Sequence, residues 1–402
     1  MSQNYDIVII GGGIIGNSVA SHLANENLKV AVINSTTLGM PASIAAAGLF
    51  QLQTGELQTP LLKEFCFKSF NYFPEFYEKI KSTESIKNID LGFKQTGSFF
   101  LVFSNYEIAH KENELREIKT IMPNASFLSK ADISRHEPLL SNDVIGAYHY
   151  PLEGYINNPK FLKALSIYCT ERKIDYINSE VNEIKINNKK IENISLGNGE
   201  TITAEKYVLC NGVWANKILK DAFNLNEDLI KGIKGEILQI GVPEKMPIQK
   251  VIFCHEGYIL PRPATNEFET PSILIGGTTE EISLKNNDVF KNTVSGISTL
   301  INLFQKLLPS CKNYPVSRMW TGLRPNTPDN LPIISKVPEV NNLILGLGHY
   351  KNGILMGPLT GKLIKDLLSD RTTGISLEPY NITRFITDSQ KNKQNKDLIV
   401  NH

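Results

Sequence analysis

Cysteine is scarce in this chain and badly placed for pairing. Its five residues, Cys66, Cys169, Cys210, Cys254 and Cys311, lie far apart and never form a C-x-x-C pair. An odd, scattered set of thiols argues against a disulfide scaffold and a cysteine-held metal, and is the usage of a reducing compartment. The seven histidines form no H-x-x-x-H or similar ligand pair, which argues against a histidine metal site as well. Long apolar runs are missing: none approaches the ~18 residues that span a bilayer, and the N-terminal segment shows neither a basic stretch nor a cleavage site. No charge of one sign predominates. Lys plus Arg number 42 and Asp plus Glu 41, a net charge of +1, with no block of like charge along the chain. That balance argues against a nucleic-acid groove, a polybasic membrane patch or an acidic tail. No internal repeat, Ser–His–Asp set or paired-carboxylate arrangement is visible either. The expectation is a soluble, cytoplasmic globular protein without structural metal. At 402 residues it is too long for one hydrophobic core and comfortable for about two.

What is present begins with alternating strand and helix patterns. Asp6 is followed by Ile7-Val8-Ile9-Ile10, a β-branched run suited to a strand buried on both faces. Gly11-Gly12-Gly13-Ile14-Ile15-Gly16 interrupts it, residues 14–25 have helical spacing, and residues 29–33 return as a second strand. Further helices are predicted at 57–81 (with Phe65, Phe70, Phe73 and Phe76 as an aromatic face), 105–122, 161–172 behind Asn157-Asn158-Pro159, 287–308 and 354–368. Strands are predicted at 95–103, 181–186, 190–196, 201–204, 206–209, 235–240, 250–253, 258–261, 273–276 and 343–347. βα units thus stand at both ends and once in the middle, with β-rich stretches between. The expected fold class is α/β, α+β overall. A Rossmann-like nucleotide-binding domain would be assembled from the discontinuous segments 1–88, 151–228 and 320–386, and a β-rich antiparallel substrate domain from 89–150 and 229–319. Residues 387–402 read as a flexible polar tail.

Gly11-x-Gly13-x-x-Gly16 has the spacing of the dinucleotide fingerprint and, between a strand and a helix, its context. Gly11 allows a sharp turn, Gly13 has no Cβ to obstruct a pyrophosphate, and Gly16 lets helix and strand pack closely. The N–H groups that open the helix face phosphate charge. A carboxylate is expected at the end of the second strand to hold a ribose hydroxyl. This chain has Asn34, which can accept through its carbonyl but carries no charge. No arginine stands nearby for a 2′-phosphate, which disfavours NADP, while the turn alone does not separate NAD from FAD. Two small-residue segments lean toward FAD: Ser43-Ile44-Ala45-Ala46-Ala47-Gly48, suited to close backbone approach to a flat ring, and Cys210-Asn211-Gly212-Val213-Trp214-Ala215.

With these segments come, in order, Trp320-Thr321-Gly322-Leu323-Arg324-Pro325-Asn326-Thr327-Pro328-Asp329 and Gly348-His349-Tyr350-Lys351-Asn352-Gly353-Ile354-Leu355. Together they resemble the FAD-dependent amine oxidases related to D-amino acid oxidase and sarcosine oxidase, over residues 4–386. The glycine oxidase branch, which serves bacterial thiamine biosynthesis, is the nearest match. The resemblance implies FAD lying extended in the Rossmann-like domain, with a small amino acid held over the flavin beneath a β-sheet. It implies dinucleotide contacts at Ile14, Ile15, Asn34 and Ser35, and flavin-side contacts at Ala42, Ser43, Ala47, Gly48, Leu49 and the backbone of Val181. Gly212 belongs to the same cofactor set. His349, Tyr350, Lys351, Asn352, Gly353, Ile354 and Leu355 would close over the ring system, with the helix opening near Gly353 directing its positive end at the flavin.

The substrate carboxylate would meet Arg324, Tyr258 and Lys351, a guanidinium fork and a phenol being suited to that group. His349 would pack at the flavin edge and no acid or base residue is required, because the flavin carries the hard chemistry. Two departures stand out. Asn34 replaces a glutamate, and Lys351 replaces an arginine. Gly322, Leu323 and Arg324 offer no cysteine for a covalent link, so non-covalent FAD is expected. The implied reaction is oxidation of glycine, sarcosine or small D-amino acids with oxygen, by a homo-oligomer that the resemblance makes a tetramer. Two rivals are a D-amino acid or proline-type dehydrogenase with another electron acceptor, and a flavin-retaining assembly protein without amine oxidation.

Overall fold

The structure, a computed structural model, describes residues 3–36, 39–52, 59–223, 228–243, 245–266, 269–283 and 287–386. The polar segment 387–402 and the first residues of the helix expected from 57 lie outside the described residues.

The first sheet runs Ile333–Val337, Val340–Leu347, Thr201–Leu209, Gln3–Ile10, Val30–Asn34, Asp175–Asn178. Its middle pairings are parallel, and an antiparallel hairpin, Val181–Asn187 with Lys190–Leu196, joins Thr201–Leu209. Side chains of residues 7–10 alternate between two cores, Ile7 and Ile9 into one, Val8 and Ile10 into the other. A two-residue period buried on both faces is what a strand covered on both sides requires. Against the first face pack Ile14–Leu23, Pro60–Lys81, Asn158–Thr170 and Gly353–Leu368. Pro60–Lys81 starts where Thr59 accepts from the Leu62 N–H, with Pro60 in its first turn, and Phe65, Phe70, Phe73 and Phe76 are all buried.

The second sheet runs Glu280–Ile282, Lys231–Gly241, Ser272–Gly276, Gly257–Arg262, Val251–Cys254, Ser98–Val102, Gly146–Tyr150, Ser126–Ser129. It is antiparallel except where Val251–Cys254 meets Ser98–Val102. Val316–Asn326 covers the other edge of Lys231–Gly241 along nearly its whole length. This strand has no clean alternation in sequence, and Pro325 is tolerated because the strand is an edge. It stays in the second sheet to Asn326, past residue 320.

Several elements differ from the sequence pattern. The helix expected at 287–308 is a short 3₁₀ turn, Asn287–Phe290, followed by Val294–Leu307. The break sits where the Thr293 N–H donates to the Glu236 carboxylate (3.1 Å) while its hydroxyl accepts from the Gly296 N–H (3.0 Å), a tertiary bond that resets the helix start. The strands expected at 201–204 and 206–209 are one, because Gln3–Ile10 pairs along both.

Candidate active site

A cavity of about 340 Å³ lies across the C-terminal ends of Val30–Asn34, Gln3–Ile10, Thr201–Leu209 and Val340–Leu347. Three strand spacings make that edge about 14 Å wide, and such an edge is where open parallel sheets bind ligands. At Gly11 φ is +110°, and a Cβ there would lie 2.6 Å from the carbonyl carbon of Cys210 on the adjacent strand end. Only glycine fits. Gly13 caps Ile14–Leu23 with no side-chain bond, leaving the helix-opening N–H groups to the cavity, apart from Ile14, which donates to Ser43 Oγ (2.9 Å). Gly16 faces away from the cavity. A Cβ on it would overlap the Gly11 carbonyl, the packing role its spacing assigns.

The cavity is lined by Gly11, Gly13, Ile14, Ile15, Asn34, Ser35, Ala42, Ser43, Val181, Gly212, His349, Tyr350, Lys351, Gly353 and Ile354. The structure brings these together from both ends and the middle of the chain. Gly16, Ala47, Gly48, Leu49, Asn352 and Leu355 are not among the lining residues, nor are the substrate candidates Arg324 and Tyr258. Residues not singled out in the sequence also line it, among them Met40, Glu180, Lys217 and Phe290, the last stacked on Trp214 with ring centroids 6.1 Å apart. Asn211, in the lining, has a buried Oδ1 without a hydrogen-bond partner, an acceptor for a ligand hydroxyl or N–H. Cys210 lines the cavity as well, but burial pushes its thiol pKa up, so it stays protonated.

Residues 42–49 are held between the second sheet and the Asn158–Thr170 helix. Trp320 Nε1 donates to the Ala45 carbonyl (2.9 Å), Arg262 donates to the Ala47 carbonyl, and Asn158 Nδ2 donates to the carbonyls of Ser43 and Ile44. Leu49, Tyr258 and Trp320 share one apolar cluster with Ala47. Arg324 lies flat on Gly235, where any Cβ would overlap the guanidinium, and its Nη1 donates to the Thr278 carbonyl (3.0 Å). The Tyr258 phenol lies over Gly276 in the same way. Burial raises the Tyr258 pKa, with Arg324 and Arg262 pulling it back, so the phenol keeps its proton. Surrounding protein, and second the Arg324 guanidinium, lowers the Lys351 pKa below its ordinary value. The Arg324 charge lowers the pKa values of Tyr258, Tyr350 and Lys351 alike, though for both phenols burial outweighs it.

Arg262 escaped the sequence reading, although it ends the strand that carries Tyr258. Burial lowers its pKa to about 10, which leaves it a cation, and its Nη1 is buried without a partner. Among the described residues no carboxylate oxygen lies within 4 Å of the cationic nitrogens of Arg262, Arg324 or Lys351. His349 is buried, with Nε2 3.0 Å from Thr360 Oγ1 and a pKa lowered by burial to about 3, so it is neutral.

A parallel sheet with a glycine loop and a cavity along its C-terminal edge is the architecture of a dinucleotide-dependent enzyme. The chain belongs to the FAD dependent oxidoreductase (DAO) family, which matches residues 6–367. It is 32% identical over 384 residues to the bifunctional protein ThiO/ThiG of Trichormus variabilis, covering 94% of this chain and 55% of that protein. The chain therefore spans about half the length of the curated relatives it matches first. It is 28% identical over 392 residues to the glycine oxidase of Geobacillus kaustophilus, covering 96% and 98%. The crystal structure of glycine oxidase from Geobacillus kaustophilus matches with a TM-score of 0.84 at 27% identity, over 96% of this chain and 99% of that one. FAD is the cofactor of this family, and the Cβ-free loop, the helix opening and the Asn211 acceptor fit it.

Proposed function

We propose that the chain oxidatively deaminates glycine and other small amines, sarcosine and small D-amino acids included, with oxygen as acceptor. The observation that carries this reading is the Arg324 guanidinium, which has no carboxylate partner among the described residues and whose charge acts on Tyr258 and on Lys351, the latter in the cavity lining. For glycine, oxygen and water give glyoxylate, ammonia and hydrogen peroxide. Relatives named ThiO/ThiG support a role in supplying the imine for thiazole formation in thiamine biosynthesis.

FAD, when bound, supplies the two-electron acceptor for the bond between Cα and hydrogen. The protein's part is to hold the substrate. Arg324 grips the carboxylate as a bidentate fork, and Tyr258, still protonated, donates a further hydrogen bond. Lys351 adds a point charge that attracts without the fork's directionality. His349 is neutral and tied to Thr360, so it carries no proton for the reaction. With no cysteine in Gly322-Leu323-Arg324 and Cys210 kept as a buried thiol, FAD is held non-covalently. We place the protein in the cytoplasm as a homotetramer, the assembly that light scattering reads directly.

The purified protein is expected to be yellow, to release FAD on denaturation, to be bleached anaerobically by glycine, and to form peroxide as oxygen is consumed. A dehydrogenase would be bleached yet need an artificial acceptor to turn over. A flavin-retaining assembly protein would not be bleached by any small amino acid.

A further inference from the structure

The departure at Asn34 leaves the ribose end of the cavity without the carboxylate that this kind of site needs. Asn34 compensates only in part, because its uncharged Oδ1 already accepts the Gly12 N–H at 3.0 Å and has one lone pair left for a hydroxyl. Its NH₂ donates but cannot accept from a hydroxyl. The next strand along the same sheet edge is Asp175–Asn178, in register so that Asn178 is opposite Asn34. Two residues further on is Glu180. It is half-buried and lines the cavity together with Asn34, Ser35 and Val181. Among the described residues that line the cavity it is the one carboxylate.

Its position is held. The Glu180 carbonyl accepts the Gly197 N–H (2.9 Å), and Ser35 Oγ donates to Glu180 Oε1 at 3.4 Å, bridging the ends of the two strands. Lys217, the lining cation nearest in sequence to this corner's other contributors, has its ammonium on the Asn182 carbonyl (2.7 Å). We infer that Glu180 supplies the carboxylate missing at Asn34, accepting the adenosine ribose hydroxyls of FAD from one strand further along the sheet edge. It rests on FAD as the cofactor and not on which amine is oxidised. A ribose hydroxyl donating to a carboxylate makes a charge-assisted bond, roughly twice as strong as a neutral one.

The test is the rate of FAD release from diluted holoenzyme, followed by the rise in flavin fluorescence. Glu180→Gln is expected to release FAD at least about tenfold faster, since charged hydrogen bonds carry about 1.5–3 kcal/mol and 1.4 kcal/mol is tenfold. Ser35→Ala, which removes the bridge between the strands but leaves the carboxylate, is expected to have a smaller effect. Adding Asn34→Glu to Glu180→Gln should return release toward the parent rate. Asn34→Glu alone should not slow release, because it sets a second carboxylate against the first. This last variant keeps the test open if Glu180→Gln folds poorly. Release from Glu180→Gln within twofold of the parent, equal effects of Ser35→Ala and Glu180→Gln, or slower release from Asn34→Glu alone would each overturn the assignment. A parent protein that carries no FAD would overturn the cofactor reading along with it.

Discussion

Arg324 is a half-buried cation held by the Thr278 carbonyl, with no acid to neutralise it among the described residues, and that is the state of a residue kept for an anionic ligand. Arg324→Ala is expected to retain FAD, seen as unchanged flavin absorbance, while KM for glycine rises at least about tenfold through loss of a charge-assisted bidentate contact. Unchanged kinetics would mean that another residue anchors the carboxylate. Lys351 stands in the cavity lining with its ammonium 5.2 Å from the Tyr350 ring centroid, electrostatically coupled to Arg324. A compact charge on a flexible stem orients a carboxylate less tightly than a fork. Lys351→Arg should therefore shift the ratio of kcat/KM between glycine and sarcosine. If both Lys351→Arg and Lys351→Met left that ratio at the parent value, Lys351 would take no part in selection.

At the scale of elements, the strand Lys231–Gly241 supports both substrate candidates from the second sheet. Gly235 leaves room for the Arg324 guanidinium, and Ile237 is in register with Gly276, over which the Tyr258 phenol lies. The next residue, Glu236, is buried, accepts from the backbone and hydroxyl of Thr293, and lies 3.6 Å from the Lys234 ammonium. One strand thus shapes the substrate side and sets where the Val294–Leu307 helix begins. Gly235→Ala adds a methyl group where the guanidinium lies, in a strand whose backbone accepts alanine. KM is expected to rise several-fold with the melting temperature near that of the parent, since alanine costs a strand no more than glycine does. A fall in melting temperature with KM unchanged would show that Arg324 moves aside without consequence for substrate.

Over the whole molecule, buried titratable groups set how stability depends on pH. Glu137 follows the Lys130–His136 helix and accepts from the N–H groups of Gln249 (3.0 Å) and Lys250 (2.9 Å), tying that helix to the second sheet. Burial nevertheless raises its pKa from 4.5 to about 7. A folded-state value above the unfolded one means that folding favours the protonated acid. Its contribution is present below pH 4.5 and is lost as the pH rises to about 7. His22 and His349 act in the other direction, each lowered by burial from 6.5 to about 3. Their contribution is present above pH 6.5 and is lost as the pH falls toward 3. The melting temperature of Glu137→Gln, taken relative to the parent, is expected to rise between about pH 5 and about pH 8. A difference independent of pH would show that Glu137 titrates normally.

By itself the sequence determined the features whose causes are local. The Gly11-Gly12-Gly13 turn is legible because a positive φ and a missing Cβ leave few residue choices, and the strand Gln3–Ile10 because both its faces are apolar. The aromatic face of Pro60–Lys81 and the ordered motifs that mark the family are legible for the same reason: each lies within one segment. Tertiary structure alone decided the strand Val316–Asn326, the break before Val294–Leu307, and the joining of two expected strands into Thr201–Leu209. It also brought Gly235 beneath Arg324, Arg262 against the Ala47 carbonyl, and Glu180 beside Asn34. Each of these depends on hydrogen-bond register or packing between strands distant in the chain. A one-residue slip in such a register turns every side chain to the opposite face, and no local pattern specifies it.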